Sequence, residues 1–126
     1  MKLSEIVKDY QCIVYTNDLY EPDKEINYGF CADLMSDALM IMNTVKDENV
    51  LNNAALITGL TTNQSIRTAE MLDINVVILV RGKIPASQVI EVANESGIIL
   101  IGTDLTMFNF SGALYSKGIK GITAKK

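Results

Sequence analysis

Six side chains of this 126-residue chain, Thr58, Thr61, Thr62, Arg81, Lys83 and Thr103, combine hydroxyls and cations in a way that suits an anionic ligand. Hydroxyls and backbone N–H groups donate to phosphate oxygens, and a guanidinium meets them with paired donors. These residues fall in segments 58–65, 81–85 and 102–106, each following an apolar run that reads as a strand and preceding a helical pattern. That places them at the carboxyl ends of strands, where helix N-termini favour negative charge. A small phosphorylated ligand or nucleotide is the chemistry such a set suggests. A plainer reading stays open, in which Thr61 and Thr103 only cap helices and Arg81 is solvated.

Other chemistries are narrowed by what the chain lacks. It contains no histidine, which removes Ser-His-Asp triads, Cys-His dyads and His-ligated metal centres. No GxxxxGK[ST] loop is present, so phosphoryl transfer of the P-loop kind has no seat. Asp33 and Asp37 lie one helical turn apart, where a carboxylate pair does acid–base work or holds Mg²⁺; capping in a helix's first turn is the simpler reading. Cys12 and Cys31 are 19 positions apart, outside any CxxC-type pattern and beside apolar stretches, so both read as reduced, buried residues. No catalytic residue, resident metal or cofactor is expected.

Charge and hydropathy bound the partners. The net charge is −4 and the main basic cluster is residues 117–126, with four lysines, so nucleic acid is not an expected partner. No apolar run approaches the roughly 20 residues that span a bilayer, and the first residues lack the apolar stretch of a signal peptide. A cytoplasmic location without membrane association is the expectation.

The elements that must position the six residues follow from the pattern. The start is a short amphipathic turn or two, residues 11–15 and 26–32 read as strands, and a polar surface loop with Pro22 joins them. Asp33 then caps a helix to about Asn43, and residues 45–51 form a polar connection. Strands over 53–58, 75–80 and 98–101 alternate with helices: one from a Thr61–Gln64 capping box to about Asp73, one with Pro85 in its first turn and Gly97 at its end, and one from a Thr103 cap to about Lys117, ended by Gly118. This alternation predicts an α/β fold of two or three layers, with flanking helices on a mixed, mostly parallel sheet of about five strands. The first two strands are expected to pair antiparallel. A single domain fills 1–126, with a core over about 1–120 and a short basic tail at 121–126.

Several segments together resemble the DRTGG domain family: residues 31–40 (CADLMSDALM), Thr58-Gly59, residues 76–85 (VVILVRGKIP), residues 93–98 (ANESGI), Thr103-Asp104 with Phe108, and residues 112–119 (GALYSKGI). The chain has Thr61-Thr62 where that family has Asp-Arg, and Val80-Arg81-Gly82 where it has Thr-Gly-Gly. The family is similar to the N-terminal domain of HPr kinase and accompanies CBS domains in some pyrophosphatases. The resemblance implies a non-catalytic regulatory or ligand-sensing module, often a homodimer, docking on a partner enzyme or binding a small anion. A structural subunit of a larger complex is the alternative, and an enzyme the remoter one. The apolar stripes of Met35, Met40 and Met42, and of Phe108, Phe110, Leu114 and Tyr115, are read as core or, for one of the two helices, as a dimer interface.

Overall fold

In the computed structural model, which describes residues 1–42, 45 and 47–122, the strands are β1 (Ile13–Val14), β2 (Tyr28–Cys31), β3 (Ala54–Thr58), β4 (Val76–Leu79), β5 (Ile99–Gly102) and β6 (Lys120–Gly121). The helices are α1 (Leu3–Asp9), α2 (Met35–Met42), α3 (Glu48–Asn52), α4 (Asn63–Met71), α5 (Ser87–Ser96) and α6 (Met107–Ser116). The sheet order is β1-β5-β4-β3-β2-β6, with β1 antiparallel to β5 and every other neighbouring pair parallel.

β3, β4 and β5 are buried along their whole length, as their continuous apolar runs require of strands covered on both faces. Alternation along β4 divides the core. Val77 and Leu79 pack with Met35 and Ala38 of α2, Ile66 of α4 and Val92 of α5. Val76 and Ile78 pack with Leu3 and Ile6 of α1 and with Phe110 and Leu114 of α6. The fold is therefore three layers, helices on either side of one sheet. Crossovers β2→β3, β3→β4 and β4→β5 each step one strand in the same direction, with their helices on one face. The return from β5 to β6 runs the opposite way and puts α6 on the other face, as a single crossover hand dictates.

Several expectations are corrected. β1 and β2 do not pair: β1 lies on β5 and β2 runs parallel to β3. A sixth strand, β6, escapes the sequence pattern because only two residues long and both exposed. Residues 47–52 are not a plain connection, since Asp47 caps α3 by accepting the Asn49 N–H at 3.0 Å. The expected end of α2 at Asn43 lies outside the described residues, as do residues 123–126 of the tail. Pro85 precedes the N-cap Ala86, whereas Gly97 does end α5, in the left-handed conformation at φ 71°. The loop after β1 is tied inward, because buried Thr16 extends the ladder by accepting the Leu100 N–H at 2.9 Å.

The two cysteines part company. Cys31 is exposed, with its Sγ 3.0 Å from Ser111 Oγ, which overturns the expectation of burial. Cys12 is half-buried; desolvation pushes its thiol up from 9.0 to about 11, against a smaller lowering influence of the Thr103 hydroxyl. Cys31 is therefore expected to react first with iodoacetamide at pH 8, with Cys12 largely spared. The unfolded thiol ionises before the folded one, so stability is lost as pH rises from about 9 to 11. After allowance for solvent screening the loss should be about 1–2 kcal/mol, read as the difference between urea midpoints of the wild type and Cys12→Ser at the two pH values.

Candidate functional site

The carboxyl ends of β3, β4 and β5 open into three loops whose backbones are held by a shared set of hydrogen bonds. Thr58 ends β3 fully buried; its hydroxyl donates to Asp33 Oδ1 at 3.5 Å and accepts the Leu60 N–H at 3.1 Å. Asp33 Oδ1 also accepts the Gly59 N–H at 2.7 Å. Asp33 thus braces the β3–α4 turn rather than capping α2 as expected; it precedes that helix, whose first turn holds Asp37. After β4, Arg81 and Gly82 both take positive φ, 64° and 65°. Their N–H groups donate to Leu105 O at 2.8 Å and Thr103 O at 3.0 Å, stitching the β4–α5 loop to the β5–α6 loop. Buried Thr103 completes the seam, donating its hydroxyl to Tyr10 O and accepting the Leu105 N–H, each at 3.3 Å.

Left-handed backbone costs a branched-free residue such as arginine roughly 1–2 kcal/mol, so its presence is informative. At Arg81 it lays the guanidinium directly over Gly59. A Cβ on Gly59 would stand 2.8 Å from Arg81 Cζ, so a side chain there would push the guanidinium aside. Among the described residues, the ion pairs are Met1–Glu25, Lys2–Asp23 and Arg67–Glu70, and none engages Arg81. Arg81 is exposed as a residue.

Of the six residues singled out from sequence, Arg81, Thr61 and Thr62 reach the surface on the β3–α4 and β4–α5 loops, and Thr58 stays buried beneath them. Thr58 and Arg81 flank Gly59, and Thr61 and Thr62 follow it into α4, half-buried and exposed respectively. Thr62, not Thr61, is the N-cap, and no side chain closes the α4 N-terminus, so the expected Thr61–Gln64 box is not formed. The N-terminus of α5 likewise has no side-chain cap. Asn63, in the first turn of α4, has a buried Oδ1 that accepts no hydrogen bond from the described residues. Thr103 is removed from the rim by burial and does not cap α6, whose N-cap is Thr106. Lys83 turns the other way, into a cleft of about 100 Å³ that it shares with Gln11, Ile13, Tyr15 and Asp104. Burial, and then the Asp104 carboxylate, push the Tyr15 phenol above its ordinary value.

Crossovers leave β4 and β5 toward opposite faces, so the switch point of the sheet lies between them. In many open sheets that crevice takes the ligand; here the hydrogen bonds of Arg81 and Gly82 cross it, and the small cleft of Lys83 and Asp104 lies beside them, lined also by Gly82, Gly102 and Thr103. Sequence reasoning found Arg81 but missed Gly59 and Asp33 as its setting. The signal was a glycine directly after a wholly buried strand, where close approach of another group is a standing reason for glycine.

A search against models of protein families finds none that matches, and a search of curated proteins finds no match. Among solved structures, the chain is similar to the CBS and DRTGG domains of the regulatory region of Clostridium perfringens pyrophosphatase, a complex with the activator diadenosine tetraphosphate. The TM-score is 0.61 at 17% identity, covering 88% of this chain and 44% of that one. The chain thus spans less than half the length of its structural neighbour. The likeness is one of fold, a mixed α/β domain. Among the described residues, no helix is long and apolar enough to cross a membrane.

Proposed function

We propose that the chain is a non-catalytic regulatory domain, cytoplasmic and homodimeric, that binds a small phosphorylated ligand or nucleotide between the β3–α4 and β4–α5 loops and passes the result to a partner enzyme. One observation carries the reading: a guanidinium held over Gly59 by a left-handed backbone, without an ion pair among the described residues. Such an arrangement spends stability to present a cation, which a merely solvated arginine does not need. The uncapped N-termini of α4 and α5 add partial positive charge beside it. Arg81, Thr61 and Thr62 are the contacts in this reading. Thr58 and Thr103 shape the loops from within, and Lys83 supplies a more distant charge. The nucleotide activator of the pyrophosphatase regulatory region supports the ligand class.

The test is a calorimetric titration of the protein with inorganic phosphate, AMP, ADP and ATP, paired with thermal melts. Binding of at least one nucleotide is expected, with a gain of about 2.7 kcal/mol in stability at 100 times its dissociation constant. If none of the four produces heat or raises the melting temperature, the site as described is wrong.

A further inference from the structure

We infer that α6 is the self-association surface: two copies pack this helix antiparallel across a two-fold axis at Ser111-Gly112. It rests on the homodimeric part of the reading above and not on the ligand. α6 turns Phe110 and Leu114 into the core and leaves Phe108 and Tyr115 outside, 86% and 74% exposed. Phe108, Ser111, Gly112 and Tyr115 are spaced i, i+3, i+4 and i+7, so they form one stripe. The stripe fronts a wide, shallow apolar hollow of about 590 Å³.

The stripe is complementary to itself. An axis between Ser111 and Gly112 sets Phe108 of one copy against Tyr115 of the other, while the two small residues let the helices approach closely. Residues 105–116 carry no charge, and charges stand only at the ends, exposed Asp104 before the helix and exposed Lys117 and Lys120 after it. Antiparallel pairing brings each Asp104 toward the other copy's Lys120, which lies beside Tyr115, so the same axis matches both the apolar centre and a charge at its rim. Covering two aromatic rings per copy removes roughly 300–500 Å² on each side, about half of the ~800 Å² per partner of a standard interface. Met107 and the flank at Cys31 extend the patch. The Met-rich helix α2 lacks this match: Met40 is exposed, but Asp37 stands in its first turn with no basic residue in its last.

Sedimentation velocity on the full chain, without ligand, tests the pairing. The wild type is expected to dimerise at high micromolar concentration. Phe108→Glu and Tyr115→Lys should each weaken the dimer at least tenfold, while Met40→Lys leaves it unchanged. Both altered side chains are exposed, and circular dichroism checks that each variant keeps the wild-type melt. An equimolar mixture of Phe108→Glu with Tyr115→Lys should regain dimer, because the axis sets the new glutamate against the new lysine. A monomeric wild type, a dimer that survives Phe108→Glu, or a mixture that stays monomeric each overturns the inference. Since no nucleotide enters the experiment, its failure leaves the ligand reading standing, and a failed titration leaves the dimer standing.

Discussion

Arg81→Gly is expected to lose nucleotide binding by about ten- to a hundredfold while the protein melts no lower than the wild type. The first half follows from the guanidinium's role: a charge-assisted hydrogen bond is worth about 1.5–3 kcal/mol, and Arg81 is the cation laid at the rim. The second half follows from its backbone. At φ 64° a non-glycine residue is strained by roughly 1–2 kcal/mol, and glycine removes that strain, offset by about 0.5–1 kcal/mol of extra freedom in the unfolded chain. A residue kept for stability would behave oppositely, its removal lowering the melt. Gly59→Val supplies the companion case. Its side chain occupies the space of the guanidinium, so Arg81 is displaced although its charge remains, and affinity should fall nearly as far. Calorimetry and thermal melts of the two variants separate a positioned cation from a generally basic surface.

Phe110→Ala is expected to destabilise the domain by about 3–5 kcal/mol, the usual range for truncating a buried phenylalanine. Phe110 is fully buried under the sheet, and its ring meets Tyr10 edge-to-face at 5.5 Å and 84°. The pair locks α6 to the end of α1, so removing one ring leaves a cavity between two elements that have no other aromatic contact among the described residues. Phe108→Ala, two positions earlier and exposed, should change monomer stability by less than about 0.5 kcal/mol. Urea melts at low protein concentration measure both. Similar losses at the two positions would mean that α6 is rotated from the orientation described.

How far the sequence revealed this depended on whether a residue's role was set locally. The buried strands β3, β4 and β5 announced themselves as apolar runs, because burial on both faces favours apolar side chains and admits a polar one such as Thr58 only when it is hydrogen-bonded. Gly97 marked the end of α5 because a left-handed position there nearly demands it. The partners of β1 and β2 were not legible, since two- and four-residue strands carry no record of which neighbour they meet. Asp33, Thr61 and Thr103 all look like helix caps. Tertiary contacts claim Asp33 for Gly59 and Thr103 for Tyr10 O, and Thr62 takes the cap position expected of Thr61. Arg81 was legible as a cation on a loop. Its strained backbone is held by its own hydrogen bond to Leu105 and that of Gly82 to Thr103, more than 20 residues on, which spacing alone cannot supply.

A titration of the ¹⁵N-labelled protein with ATP, followed by amide NMR, tests the central claim most directly. Shifts are expected at Gly59, Thr61, Thr62, Asn63 and Arg81 and in the first turn of α5, and nowhere else. Shifts clustered instead on Lys83, Asp104 and Gln11, or no shifts at saturating nucleotide, would contradict that claim.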